Sequence, residues 1–286
     1  MLINKSKKLS VKRLSRFIRF LFFVVLVLYS AYTFLPMVWT IFMSFKPTTD
    51  ILNNPYALPK EFRFANYNTI LSNPNYFRYY LNSALVVGAS IIILVVVGSM
   101  AAYYFGTFYF RGREVLFTAI FAAFMIPQQA TIVPLFELLK GYHLLNNHAG
   151  LILVYVATSL PLSVYILANF FASIPRELAE AARIDGCSEW RLYWQVMFPI
   201  ARPAVAAIVT FYFIQLWNEY LYAVVFIFKD SLRTLPIGLV HLRGEHFTDL
   251  GGLAAAFVMS MIPILVLYLF LSEQFIKGMT AGAMKG

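Results

Sequence analysis

Glu219, in the stretch IQLWNEYLY, is the only acidic residue deep inside an apolar run of this sequence. A charged side chain at the centre of a bilayer costs roughly 2.5–3.5 kcal/mol on insertion scales, so such a group marks a functional or structural site. Gln215 and Asn218 precede it by four and one positions, and the four-residue spacing predicts that Gln215 and Glu219 share a helix face. Gln128 and Gln129 interrupt a second apolar run beside Pro127, where a helix would kink. Amides and aromatic rings suit the hydroxyls and the faces of sugars, and aromatics make up 17% of the chain. Two readings stay open. These groups touch a solute along a translocation path, or they hold helices together as a contact or hinge. Aromatics gather at membrane interfaces in either case. Metal chemistry has little support: His143, His148, His241 and His246 fall in predicted loops, and His241 and His246 with Glu245 lack the spacing of a known site. A membrane enzyme would need His, acids or nucleophiles gathered on one cavity, and the apolar runs hold one acid away from their ends and no histidine.

Charge is concentrated in one other place. Glu177, Glu180, Asp185 and Glu189 are four of the thirteen acidic residues and lie between two apolar runs. RELAEAARI, residues 176–184, consists of strong helix formers. Pro175 fits the first turn of a helix, and Glu177 and Glu180 suit the positive end of its dipole. Gly186 is expected to end the helix in a left-handed conformation, and Ser188 with Glu189 to start another. Pro199 and Pro203 are expected to close that second helix and to set where the next span begins. Leu178, Ala181, Ala182 and Asp185 share one side of the first helix. Small alanines there would admit another protein closely; a helix lying on lipid or against its own bundle is the plainer alternative.

The elements that must position these residues follow from composition. Of 286 residues, 60% are hydrophobic and 13% charged, against roughly 45–50% and 25% in soluble domains. Mean hydropathy is +0.71. The fold class is therefore all-α: a polytopic membrane protein. Segments of about 20 apolar residues are long enough to cross a bilayer. Six are expected, at roughly 17–42, 82–106, 115–137, 149–172, 203–228 and 251–273. The basic start resembles a signal peptide, but its apolar run is long and no small-x-small site closes it, so it reads as a retained span. The single cysteine, Cys187, excludes an internal disulfide framework.

Orientation follows from the basic residues. With both termini inside, the inner segments hold Lys5, Lys7, Lys8, Lys12, Arg13, Arg16, Arg19, Arg111, Arg113, Arg176, Arg183, Arg191, Arg202, Lys277 and Lys285, fifteen in all. The outer segments hold Lys46, Lys60, Arg63, Arg78, Lys140, Lys229, Arg233 and Arg243, which is eight. Both termini are therefore expected in the cytoplasm. The net charge of +10 is a topology signal of residues flanking spans and does not form a nucleic-acid surface.

One longer pattern carries more information. Glu180-Ala181-Ala182, three residues, Gly186, nine residues, then Val196-Met197-Phe198-Pro199 resembles the EAA loop of ABC importer permeases. That family has Ile and Leu where Val196 and Phe198 stand here, so apolar character is kept, and Asp185 before the glycine is frequent in it. SFKPTTDILNNPYALPKEFRFANY, NSALVVGASIIILVVVGSMAAYYFGTF, MIPQQATIVPLFELLKGYHLLNNHAGLIL, WNEY and the terminal GMTAGAMKG resemble the carbohydrate branch, specifically the subunit paired with a second, different permease in maltose-type importers.

The resemblance implies a six-span permease domain over 17–273 with a cytoplasmic EAA loop at 173–202, a basic cytoplasmic segment at 1–16 and a cytoplasmic tail at 274–286. It implies a bacterial-type cytoplasmic membrane. It implies that the 176–184 helix is a coupling helix docked in a cytoplasmic ATPase, through Glu180, Ala181, Ala182, Asp185, Gly186 and Pro199. The expected partners are a second permease, two ATPase subunits, an extracellular or periplasmic solute-binding protein and the bilayer, with a sugar as cargo. No Gly-x-x-x-x-Gly-Lys-Ser/Thr sequence occurs, so no cofactor is expected in this chain, and ATP and Mg²⁺ belong on the partner ATPase. A permease for amino acids, phosphate or another non-sugar solute is the alternative. A passive channel or scaffold would not need the spaced docking pattern.

Overall fold

The computed structural model describes residues 3–245 and 249–283, with side chains described over 17–241 and 249–273. Among these residues every regular element is a helix. The chain divides into two compact units, residues 1–70 with 246–258, and residues 71–245 with 259–286.

In the first unit, α1 (Ile3–Ser44) runs unbroken through Pro36, and most of its apolar side chains between Phe17 and Leu35 are exposed. Short helices α2 (Thr48–Asn53) and α3 (Ala65–Ser72) follow. The connection between them is tied down by polar bonds. Lys46, only 3% exposed, donates to the carbonyls of Asn54 and Ala57 at 2.8 and 3.0 Å. Asn66 donates to the carbonyls of Ser44 and Lys46 at 2.8 and 2.9 Å. Phe45 packs edge-on against Phe62 and Phe64. The hydrogen bonds tie the loop to the end of α1 and satisfy buried polar groups.

In the second unit, α4 (Pro74–Thr107) is capped by Asn73, whose side chain accepts from the amides of Asn75 and Tyr76. A bent pair follows, α5 (Arg113–Ala123) and α6 (Gln128–Gly141), with 97° between them. Then come α7 (His148–Ala172), α8 (Arg176–Ile184) and α9 (Glu189–Leu192). A π turn at Tyr193–Met197 leads into α10 (Phe198–Trp217), followed by α11 (Leu221–Phe226). A 3-10 turn at Asp230–Leu232 precedes α12 (Leu235–Glu245). The final helix, α13 (Leu250–Ala283), begins in the first unit and ends in the second.

Helices α4 and α7 form the packed centre of the second unit. Buried Ser90, Ser99, Ser159 and Ser163 line them, small residues of the kind that let membrane helices approach. They approach closely at Gly106: a Cβ there would meet the Ala168 carbonyl oxygen at 2.6 Å and the Phe171 Cβ at 2.7 Å.

The described helices include five long and apolar enough to span a membrane, or six if the bent pair counts as one span. Two expected spans differ in form. The third, expected at 115–137 with a kink beside Pro127, is two helices broken at 124–127, because the backbone at Pro127 is extended and its ring excludes the preceding residue from a helix. The fifth, expected at 203–228, starts earlier and stops earlier. The chain is helical from Glu189 to Trp217, and Pro199 and Pro203 lie inside it instead of closing it. Proline has no N–H for the carbonyl four residues back, and the π turn absorbs the misfit: Phe198 donates its amide to Tyr193, five residues earlier. Two of the histidines expected in loops are helical, since His148 opens α7 and His241 lies in α12. His246, the basic N-terminal side chains through Arg16, and the side chains of GMTAGAMKG lie outside the described residues. Among the described residues no three His, Cys, Asp or Glu groups could hold a metal ion together.

Candidate functional site

The α8–α9 elbow is a standard helix ending followed by a standard helix start. Gly186 has φ +80°, and its amide donates to Arg183 O while that of Cys187 donates to Ala182 O, both at 3.0 Å. That pair of bonds is the Schellman ending, and its left-handed residue is where glycine alone sits without cost. Two residues on, Ser188 caps α9 by accepting from the Arg191 amide. Arg183 then bridges the elbow, with Nε 2.7 Å from Glu189 Oε1 and Nη2 3.4 Å from Oε2. The hydrogen bond to Glu189 holds the Arg183 guanidinium above its ordinary range. Tyr103 Oη, on α4, donates to Glu189 Oε2 at 3.1 Å.

This elbow leaves much of its surface uncovered. Ala179 is the buried residue of α8. Leu178, Glu180, Ala181, Asp185 and Gly186 are exposed, and Ala182 is half-buried. Asp185 is the C-cap residue and continues the exposed side. Ile184 is 86% exposed and Trp190 62% exposed. Pro199 is half-buried in the first turn of α10, remote in sequence from this exposed side. The sequence therefore located the elbow, its glycine and the exposed Ala181. It did not indicate the Arg183–Glu189 bridge, which depends on the turn angle.

The second candidate region forms where α10 stops. Asn218 is the C-cap of α10, so Glu219 lies beyond the helix and does not share a helical face with Gln215. Its carboxylate instead starts α11. Oε1 accepts from the Tyr222 amide at 2.7 Å and Oε2 from the Ala223 amide at 3.2 Å. Tyr155 Oη, on α7 and 1% exposed, donates to Oε2 at 2.6 Å. Gln128 Nε2, in the first residue of α6, donates to Oε1 at 3.3 Å. Thr131 Oγ1 and Tyr222 Oη, 2.6 Å apart, add a second tie between α6 and α11. Glu219 thus connects three helices at the point where two of the polar interruptions meet.

Sequence reasoning named Gln128 and Glu219 without pairing them, and it missed Tyr155, Thr131 and Tyr222. Tyr155 carries no sequence signal, because its contact crosses 64 positions. Tyr222 stands three residues past an acid, a capping spacing that an unbroken helix reading conceals. Gln129, Gln215 and Asn218 behave differently. All three are exposed, and Asn218 bonds only back to Ile214 O, at 2.8 Å.

Comparison with known proteins fits this architecture. Residues 94–281 match the family described as binding-protein-dependent transport system inner membrane component. The chain belongs to this family. It is 36% identical over 263 residues to the diacetylchitobiose uptake system permease protein of Streptomyces coelicolor, a match covering 91% of this chain and 87% of that one. It is 31% identical over 271 residues to the trehalose/maltose transport system permease protein of Thermococcus litoralis, covering 94% and 97%. Its fold matches a chain of a bacterial ABC transporter that imports alginate, with a TM-score of 0.79 at 23% identity, covering 91% of this chain and 97% of that one. The chain is a membrane permease component of a binding-protein-dependent transporter, not an enzyme.

Proposed function

We propose that this permease serves an ATP-driven importer of a sugar or oligosaccharide, and that α8 is where a cytoplasmic ATPase bears on it. The saccharide reading is supported by the two relatives above, whose names give diacetylchitobiose and trehalose/maltose as their cargoes. No comparison favours a non-sugar cargo. The ATPase reading is carried by one observation: a short helix, ended by a Schellman glycine, that exposes Leu178, Ala181 and Ile184 and is braced from behind by Arg183–Glu189. Exposed apolar and small side chains on a braced elbow suit a rigid docking knob. Glu180 would pair with a basic group of the ATPase, giving register more than affinity.

The assembly in this reading has a second, different permease, two ATPase subunits holding ATP and Mg²⁺, and a solute-binding protein outside. Both termini and the 173–202 loop face the cytoplasm, residues 17–273 form the permease domain, and 1–16 and 274–286 flank it. Basic residues on the inner side support that orientation.

Along the solute path the two kinds of polar group divide their work. Glu219 already accepts four hydrogen bonds from its own chain. Gln129, Gln215 and Asn218 are open, and amides at this depth face a polar path or a partner helix, not lipid. The test is uptake by the reconstituted assembly. The solute-binding protein is first screened for saccharide binding, and the bound saccharide is then offered with ATP. ATP-dependent accumulation of that saccharide is expected. Binding of a non-sugar solute, or uptake without ATP, would contradict the proposal.

A further inference from the structure

Residues 108–112 connect α4 to α5. The ring of Tyr109 in this connection carries two cations: Arg113 Cζ and Arg176 Cζ each lie 5.2 Å from its centroid. Arg176 Nη2 also donates to Tyr109 Oη at 3.0 Å. Arg113 is the first residue of α5 and Arg176 the first of α8, so one ring joins the starts of two helices. Two guanidinium groups repel each other; the Glu114 carboxylate paired with Arg113 and the negative face of the Tyr109 ring both offset that repulsion.

Both sides of this joint are anchored. Arg113 Nε donates to Phe105 O at 2.8 Å, fixing the start of α5 to the end of α4. Nearby, Arg183 of α8 lies over the Phe108 ring at 6.0 Å. The close crossing at Gly106 holds that end of α4 against α7. Beyond the joint, α5 leads to the 97° bend, and α6 opens with Gln128, which donates to Glu219. A continuous series of contacts therefore runs from α8 through Tyr109 and α5 to the junction at Glu219.

We infer that Tyr109 is a positioning residue for transport: its ring makes α5 follow α8, so that displacement of α8 reaches the bend between α5 and α6. This rests on the reading of α8 as the helix that receives the ATPase. Contiguity alone does not demonstrate coupling, so the test measures coupling directly.

The full transporter is reconstituted in bilayers with Cys187→Ser, which removes the single native cysteine. Spin labels go on cysteines placed at exposed Val115 on α5 and Glu177 on α8. The distance between them is compared in nucleotide-free and ATP-trapped states, and uptake per ATP hydrolysed is measured in parallel. With Tyr109 intact, the distance is expected to be the same in both states. With Tyr109→Leu it should differ between states, and uptake per ATP should fall on the order of tenfold. Tyr109→Phe keeps the ring and should behave like the parent in both readouts. The inference is overturned if Tyr109→Leu matches the parent, or if Tyr109→Phe fails as Leu does. Co-purification of the ATPase reports on α8 separately: it should survive Tyr109→Leu, and its absence in the parent would overturn the docking reading instead.

Discussion

The elbow at α8–α9 and the junction at Glu219 are both built around a glutamate beside a helix break, yet they are finished to different degrees. At the elbow, Glu189 is half-exposed and bonds Arg183 and Tyr103, while Ile184, Trp190 and Ala181 beside it are exposed. At the junction, both oxygens of Glu219 are occupied by groups from α6, α7 and α11. A surface left open in a folded chain is completed by something else, whereas a saturated polar cluster defines internal geometry. On the proposed reading, the elbow is the part that another protein acts on, and the junction is part of what is moved.

This contrast can be broken by mutation. The largest effect is expected from Gly186→Pro. Proline cannot adopt φ +80° and removes the amide that bonds Arg183 O, so the elbow cannot form. Uptake should fall on the order of a hundredfold, with membrane insertion unchanged on fractionation. Unchanged uptake would remove the elbow from the mechanism.

A pair of glutamate variants sharpens the contrast. Glu219→Ala leaves the Tyr155 hydroxyl and the Tyr222 and Ala223 amides without their acceptor. It should cost on the order of 3 kcal/mol in detergent unfolding. Glu180→Ala, on the exposed side of α8, should change stability by less than about 0.5 kcal/mol while uptake falls. Equal destabilisation by both variants would erase the difference between the regions. The smallest effect is expected for Asn218→Ala, which loses one neutral bond to its own helix. Unfolding should be nearly unchanged, and uptake should drop by roughly threefold if the amide meets solute. An uptake rate equal to the parent's would take Asn218 out of the path.

What the sequence made legible follows the range of the forces involved. The elbow was readable because capping is local. Gly186 and Ser188 fix helix ends within a few residues, and their backbone and capping bonds are as expected, whereas Glu180 lies in the fifth position of α8, past its first turn. The apolar segments, five long helices and a bent pair, were readable because hydropathy is additive along the chain. The break at Trp217 was not readable. Leu216 and Leu221 continue the apolar pattern on both sides, and the helix stops because Glu219 finds better partners on α7 and α6 than a helical position offers. The π turn at Tyr193–Met197 was hidden for a related reason. Prolines 199 and 203 signal an ending, but a backbone in an apolar setting keeps its hydrogen bonds by shifting register instead.

The measurement closest to the central claim is cross-linking from a cysteine at Ala181, in a Cys187→Ser background, within membranes that contain the assembled transporter. A bond to the ATPase subunit that strengthens or weakens between nucleotide-free and ATP-trapped states is the predicted result. Labelling of that cysteine by a membrane-impermeant reagent added outside, with no cross-link to an ATPase in either state, would contradict the account.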